Sequence, residues 1–131
     1  AAGLPIVIAK LPAGLSTASV FGRCEIPATP SSGSTLIDRI KNGQPHQIAG
    51  EMFNRLQTVA SQLTDQVSIL ARAFEKINCP GHQMSGSGTS YFGVFPTHRV
   101  ARRAAKTLSA RLPEATITYI HTLGPNNYIA A

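Results

Sequence analysis

The chain has 131 residues, of which 43% are hydrophobic and 14% charged, which excludes a disordered chain and predicts a single domain, residues 1–131, with one core. Its net charge of +6 suits an anionic partner, although a basic helix face is more often solvated surface alone. No apolar run approaches the ~20 residues of a membrane span and no signal-peptide pattern opens the chain, so we expect a soluble, cytoplasmic protein.

The first half of the chain predicts one strand, several helices and a loop. The β-rich apolar run Ile6–Leu11 predicts a buried strand, and Leu15–Phe21 predicts a short helix that begins at a hydroxyl side chain. Two prolines and a Ser/Gly cluster predict a flexible loop over residues 25–33. Residues 34–42 then predict one or two helical turns that end at an Asn-Gly pair.

Two helices with an apolar face are predicted in the middle of the chain. The first depends on five apolar residues spaced three or four apart, which places them on one stripe of a single helix. These residues are Ile48, Met52, Leu56, Val59 and Leu63. The second helix begins at Thr64 or Asp65 and ends at Asn78. Its apolar face comprises Val67, Leu70, Ala71, Phe74 and Ile77.

The last third of the chain predicts a hairpin, a helix and a strand. His82–Ser85 and Tyr91–Phe95 predict two strands around a Gly-Ser-Gly turn. The helix predicted over residues 98–111 turns its alanines and leucines inward and its basic residues outward. The β-branched run 115–123 predicts the final strand, and a tail follows at 124–131.

The order of these elements predicts the fold class. Strand, helices, strand, strand, helix and strand is the order of an α+β protein with a ferredoxin-like fold. We expect a four-stranded antiparallel sheet with helices packed on one face and extra helices in the first crossover. Many unrelated functions use this fold, so the fold alone assigns none.

The strongest candidate for chemistry is the loop formed by Ser85, Gly86, Ser87, Gly88 and Thr89. Two glycines suit a tight hairpin, but they also suit a loop whose backbone N–H groups must approach a phosphate. It is not a Walker loop, since no Gly-Lys-Ser/Thr follows, nor a dinucleotide fingerprint, since the next residues predict a strand rather than a helix. The pattern by itself favours the hairpin.

The residues around this loop resemble the third, C-terminal motif of the GHMP kinase superfamily. That motif is a Ser-Gly-Ser-Gly or Thr-Gly-Ser-Gly turn followed by a strand of the form x-x-Phe-Ala-x-Phe, and the chain has SGSG at 85–88 and FGVF at 92–95. The stretch GLPIVIAKLPAGLSTASVF (3–21) is similar to a family segment in which a strand ends in a turn and enters a helix. MFNRLQTVASQL (52–63) is similar to the family's Asn-x-Leu-Glu helix. The resemblance covers Leu4–Leu123.

The resemblance implies that the chain is the C-terminal domain of an ATP-dependent small-molecule kinase, closest to the kinases that phosphorylate a methylerythritol-type precursor of isoprenoids. The N-terminal domain of such kinases, which carries the phosphate loop and the catalytic aspartate and lysine, is absent from this chain. ATP and Mg²⁺ would therefore serve the full-length enzyme, this domain alone would bind neither, and the isolated chain would be inactive. The implied partners are the N-terminal domain of the same polypeptide and a small-molecule substrate in the cleft between the two domains.

For individual residues, the resemblance implies supporting roles and assigns no catalytic group to this chain. Ser85–Thr89 would lie at the domain interface, where they support the phosphate loop of the other domain and help to close the substrate cleft. Asn54 is a candidate for contact on the substrate side, although exposure to solvent is the commoner role of such a residue. Gly93 stands where the family usually has Ala, and Gln57 where it has an acidic residue.

Two other functions are compatible with the sequence. The basic helix 98–111 would suit a stand-alone ferredoxin-like module that is regulatory or binds RNA. The strand Tyr91–Phe95 lacks the basic-Gly-aromatic pattern of RNA-binding sheets, so nucleic acid is not expected as a partner. The chain would also suit another GHMP kinase, of the homoserine or mevalonate type.

The cysteines and histidines do not predict a metal site. Cys24 and Cys79 lie far apart in the sequence, which favours free thiols. Cys79 and His82 have half the spacing of a zinc site, but no second Cys/His pair lies nearby, and His98 and His121 are isolated. We therefore expect no metal.

Overall fold

The computed structural model describes residues 3–42 and 44–123. These residues form four strands and six helices. In chain order they are β1 (Pro5–Lys10), α1 (Thr17–Gly22), α2 (Ser34–Asn42), α3 (Pro45–Glu51), α4 (Leu56–Leu63), α5 (Gln66–Lys76), β2 (Gly81–Met84), β3 (Tyr91–Val94), α6 (His98–Arg111) and β4 (Thr116–His121). The first crossover, from β1 to β2, thus holds α1 to α5.

The four strands form one antiparallel sheet in the order β2-β3-β1-β4. In the centre of the sheet β1 pairs with β3, with Ile8 opposite Phe92, and with β4, with Ile8 opposite Thr118. At one edge β2 forms a hairpin with β3, in which Met84 lies opposite Tyr91. The predicted ferredoxin-like α+β fold with extra helices in the first crossover is confirmed.

The core lies between the sheet and the helices α5 and α6. Its largest fully buried side chains include Tyr91 from β3, Phe74 and Leu70 from α5, Leu108 from α6 and Val7 from β1. The rings of Phe74 and Tyr91 lie 5.3 Å apart between centroids. Burial of one such side chain contributes about 1.5–3 kcal/mol, so this layer fixes the β2–β3 hairpin on the helices.

Two glycines let helices pack directly on strand backbones. A Cβ at Gly93 would lie 2.6 Å from both Phe74 Cδ1 and Cys79 Sγ. A Cβ at Gly81 would lie 2.3 Å from the Cβ of Ala49 in α3. Both distances are far below a normal contact between carbon atoms. The ring of Phe74 therefore occupies the space that a side chain at position 93 would need.

The apolar stripe over residues 48–63 belongs to two helices, so the prediction of one helix was wrong. α3 ends at Glu51, α4 begins at Leu56, and Met52 between them is extended with φ −72° and ψ 134°. The spacing of four between Met52 and Leu56 is kept across the break, which is why the periodicity could not reveal it. Asn54 accounts for the break, because its Oδ1 accepts the Leu56 N–H at 3.0 Å and so begins a new helix.

The ends of the other elements follow local signals. Ser16 and Thr97 each accept a backbone N–H with the side-chain oxygen at the start of α1 and α6. Residues 25–33 form no helix or strand. β4 ends at His121, two residues before the end of the predicted run, and Leu123 is 55% exposed. The tail at 124–131 lies outside the described residues, and no helix within them has the length and hydrophobicity to cross a lipid bilayer.

Candidate functional site

The loop between β2 and β3 closes through its own backbone. The Ser85 N–H donates to Ser90 O at 2.8 Å, and the Gly88 N–H donates to Ser85 O at 3.2 Å. Gly86 and Gly88 have φ angles of 58° and 95°, in a region that residues with a side chain rarely adopt. The hairpin therefore requires both glycines.

Two hydroxyl groups join this loop to the segment between β1 and α1. Thr89 is 3% exposed, and its Oγ1 donates to the carbonyl of Ala13 at 3.0 Å. The Oγ of Ser87 forms a hydrogen bond of 3.0 Å with the Oγ1 of Thr17 on α1. The loop and the start of α1 thus form one continuous surface.

Three backbone donors of the loop remain free among the residues that the structure describes. The N–H groups of Gly86, Ser87 and Thr89 donate to no acceptor there, and of these residues Thr89 is buried. Apart from its chain neighbours, no residue has an atom within 4 Å of the position that a Cβ would take at Gly86. Backbone N–H groups in such open loops are suited to anions, so this face of the loop has the chemistry of a phosphate contact.

Asn54 connects the start of α4 to the carbonyl side of the loop. Its Nδ2 donates to the carbonyls of Met84 and Gly86, both at 2.8 Å. Its Oδ1 accepts the N–H of Leu56 at 3.0 Å. The side chain therefore uses both amide hydrogens on the loop and its oxygen on the helix.

Gln57, on the first turn of α4, connects the edge of the hairpin to a half-buried polar pair. Its Oε1 accepts the Met84 N–H at 2.9 Å and the side-chain amide of Gln83 at 2.6 Å. Its Nε2 donates to the hydroxyl of Tyr91 at 3.4 Å, and that oxygen lies 2.6 Å from Nδ1 of His82. A chain of hydrogen bonds thus runs from α4 across the hairpin.

Burial keeps this chain of hydrogen bonds uncharged. It lowers the pKa of His82 below the usual 6.5, although the nearby charge of Glu75 acts in the opposite direction. Burial also raises the pKa of Tyr91 to about 12, while the hydrogen bond from Gln57 acts to lower it. At neutral pH both side chains are therefore neutral.

The thiol and imidazole groups beside the hairpin are engaged within the protein. Cys79 Sγ lies 3.2 Å from the carbonyl of Gly81 and 3.5 Å from that of Val94, and burial raises the pKa of its thiol to about 11. His82 faces Tyr91 through Nδ1. Among the described residues no group of three or more His, Cys, Asp and Glu side chains is placed to hold a metal ion.

The cations of α6 lie on its exposed face. Arg99, Arg102, Arg103 and Lys106 line a shallow groove. The guanidinium of Arg102 lies over the ring of Tyr119, 5.4 Å from its centroid. None of these four cations pairs with a carboxylate of the described residues. The face has the character of solvated surface with one aromatic contact.

Ser85–Thr89 could be predicted as one site from the sequence because they are consecutive. The hydrogen bonds that hold this loop, from Asn54 and Gln57, could not. Asn54 and Gln57 contact residues about thirty positions later in the chain. The only local signal was a pair of amide side chains, Asn54 and Gln57, at the start of α4. No residue other than Asn54 was predicted to act at this site from outside the loop.

A family model described as "GHMP kinases C terminal" matches residues 36–114, more than half of the chain. The chain belongs to the GHMP kinase family. The matched residues include the glycine loop and the helix start that holds it. The relation inferred from the loop and its flanks is therefore confirmed.

Two of the curated relatives that match this chain carry the same name. The chain is 31% identical to a 4-diphosphocytidyl-2-C-methyl-D-erythritol kinase of Alkaliphilus metalliredigens over 106 residues, which is 79% of this chain and 36% of the relative. It is 30% identical to a kinase of the same name from Rhodopirellula baltica, over 77% of this chain and 30% of the relative. The chain thus spans about a third of the length of these relatives.

Solved structures of GHMP kinases have the same fold. A 4-(cytidine 5′-diphospho)-2C-methyl-D-erythritol kinase matches with a TM-score of 0.73 and 22% identity, over 93% of this chain and 44% of the other. Homoserine kinase from Cytophaga hutchinsonii matches with a TM-score of 0.72 and 15% identity, over 95% and 44%. At these identities the likeness shows the fold alone.

Proposed function

We propose that this chain is the C-terminal domain of an ATP-dependent kinase that phosphorylates a hydroxyl of 4-diphosphocytidyl-2-C-methyl-D-erythritol, for the synthesis of isoprenoid precursors in the cytoplasm. The observation that carries the proposal is the 31% identity to a relative of that name across 79% of this chain. Homoserine has weaker support as the substrate, because the homoserine kinase is only 15% identical.

In this proposal the activity belongs to a longer protein in which an N-terminal domain binds ATP and supplies the catalytic groups. Phosphoryl transfer requires positioned phosphates and neutralised charge. In this proposal the residues that hold Mg²⁺ also belong to the other domain. The part of this chain is to close the cleft around the phosphates and the substrate.

The loop Ser85–Thr89 is the element that we assign to this contact. Of its three N–H groups without an acceptor among the described residues, those of Gly86 and Ser87 are less buried than that of Thr89, and the oxygens of a phosphate would accept hydrogen bonds from them. The buried hydroxyl of Thr89 fixes one end of the loop to Ala13. The loop therefore acts through its backbone and supplies no catalytic group.

The hypothesis of substrate contact by Asn54 has less support than a role through the loop. Both hydrogens of its amide are already donated to loop carbonyls. Direct contact with the substrate would have to break one of these hydrogen bonds or use the remaining lone pair of Oδ1.

The test is a substrate comparison with the intact protein that contains this chain. Phosphate transfer from ATP is measured with 4-diphosphocytidyl-2-C-methyl-D-erythritol, homoserine and mevalonate in parallel, and the 131-residue chain is assayed alone. We expect turnover of the first substrate by the intact protein and none by the chain alone. Preference for homoserine or mevalonate would overturn the substrate, and turnover by the chain alone would overturn the division between domains.

A further inference from the structure

Asn54 holds the loop in one orientation through two carbonyl groups. The two hydrogens of a side-chain amide point in directions about 120° apart, and here each meets a carbonyl oxygen, of Met84 and of Gly86, at an N–O distance of 2.8 Å. The two acceptors lie on either side of Ser85, where the chain leaves β2. The Asn54 side chain therefore fixes the directions of two carbonyl groups, those of Met84 and Gly86.

The direction of one carbonyl determines the direction of the next N–H. The Gly86–Ser87 peptide is trans, and in a planar trans peptide the C=O and N–H bonds point in opposite directions. Because the Gly86 oxygen points to Asn54, the Ser87 N–H points away from α4. That N–H is one of the three donors in the loop that lack an acceptor among the described residues.

We infer that Asn54 is a positioning residue that keeps the Ser87 N–H directed at an anionic phosphate group in the cleft. The inference rests on the function proposed above for the loop. Without the amide of Asn54, the Gly86–Ser87 peptide is free to rotate, since the glycine at 86 places no side chain in the way. Rotation would direct a carbonyl oxygen, in place of a donor, toward the phosphate.

The capping role of Asn54 is a separate contact and does not account for the amide nitrogen. Its oxygen begins α4 by accepting the Leu56 N–H, and an aspartate or serine would serve there equally well. Only the Nδ2 group reaches Met84 and Gly86. A substitution that keeps the cap and removes the donor therefore separates the two roles.

The experiment uses Asn54→Asp and Asn54→Ser in the intact kinase, with Gln62→Glu as the matched control. Gln62 is an exposed residue of α4, the helix that Asn54 begins, and its substitution makes the same change of charge as Asn54→Asp. We expect kcat to fall about 10- to 100-fold in both Asn54 variants, since loss of one backbone donor to a transition state costs about that much or more. The control should keep kcat within about twofold.

A second readout reports the loop without activity. In the intact protein labelled with ¹⁵N-serine, the residual dipolar coupling of the Ser87 amide measures the direction of that N–H. We expect it to move toward zero in both Asn54 variants while the amide of Ser68 in α5 keeps its value. Unchanged coupling at Ser87 together with unchanged kcat would overturn the inference.

The loop variant Gly88→Val separates this inference from the proposed function. It forces a side chain into a φ of 95° and against Met84 Sδ, so it distorts the loop whatever Asn54 does. If Gly88→Val stays folded and fully active, the loop has no part in the reaction and the proposed function of the loop fails. If Gly88→Val is folded and inactive while both Asn54 variants keep kcat, only the role of Asn54 fails.

Discussion

Replacing Gln57 by a glutamate should reverse the chain of hydrogen bonds beneath the loop. The Met84 N–H can only donate, so the atom of Gln57 that faces it is the oxygen, and the amide nitrogen must face Tyr91. The Tyr91 oxygen then accepts from Gln57, and we expect its hydroxyl to donate to Nδ1 of His82. In that arrangement the wild-type imidazole is neutral with its proton on Nε2.

A carboxylate at position 57 can only accept, which changes each step. In the Gln57→Glu variant the Tyr91 hydroxyl would donate to the new carboxylate, and Nδ1 of His82 would have to donate to Tyr91. Hydrogen bonds of 3.4 and 2.6 Å separate the two groups, so the carboxylate lies within about 6 Å of the ring. At an effective dielectric constant of about 20–40 the attraction to an imidazolium is about 1.4–2.8 kcal/mol. Because His82 is only half-buried, solvent screening favours the lower value, a rise of about one unit in its pKa.

The assay is a titration of the imidazole nitrogens of ¹⁵N-labelled protein by NMR. We expect His82 to carry its proton on Nε2 in the wild type, and in Gln57→Glu to show a proton on Nδ1 and a pKa about one unit higher. Gln62→Glu serves as the control for added charge and should leave His82 unchanged. A wild-type His82 protonated on Nδ1, or a pKa that does not move in Gln57→Glu, would refute the reasoning.

Three further outcomes follow from the packing and the loop. Gly93→Ala should lower the free energy of unfolding by about 1–3 kcal/mol, because its Cβ would overlap the ring of Phe74. Thermal unfolding measures this loss, and adding Phe74→Leu to the variant should restore part of it if crowding is the cause. Ser87→Ala removes only the hydroxyl, so in the proposed kinase reaction of the intact protein kcat should fall less than about threefold. A fall as large as that of Asn54→Asp would assign the phosphate contact to the hydroxyl rather than to the Ser87 N–H. Burial keeps the pKa of His82 in the folded protein below its value in the unfolded chain. The contribution of His82 to the free energy of unfolding is therefore present above pH ~6.5 and declines as pH falls toward the folded pKa. Denaturant unfolding at several pH values should show this decline in the wild type and not in His82→Gln.

The elements that could be predicted are those whose signals are local. The apolar period of α5 and α6, the Thr97 cap and the β-branched strands all describe contacts of a residue with its near neighbours in sequence. The GHMP relation came from a short loop and its flanks for the same reason. The sheet order then followed from the order of elements, because few connections of this kind fit an antiparallel sheet.

The parts that could not be predicted depend on contacts between distant segments. The break between α3 and α4 is invisible to periodicity, since Met52 and Leu56 keep the helical spacing across it. The sequence shows Gly93 only as a departure from the alanine that the resemblance implies, whereas in the structure the ring of Phe74 fills the space beside it. At Gly93 the deciding atoms lie on another element. At the break the hydrogen bond to Leu56 is local, but the same Asn54 side chain is also held by Met84 and Gly86, about thirty residues later in the chain.

The break in the helix and the position of the loop have one cause. In a continuous helix over residues 48–63 the Leu56 N–H would donate to the carbonyl of Met52, and the Asn54 oxygen would have no N–H to cap. In the observed structure Asn54 accepts from Leu56, which offsets the loss of helical hydrogen bonds, and the same side chain is then directed to Met84 and Gly86. The break between α3 and α4 therefore brings the Asn54 amide to the carbonyl side of the glycine loop. Through that contact it also sets the direction of the Ser87 N–H.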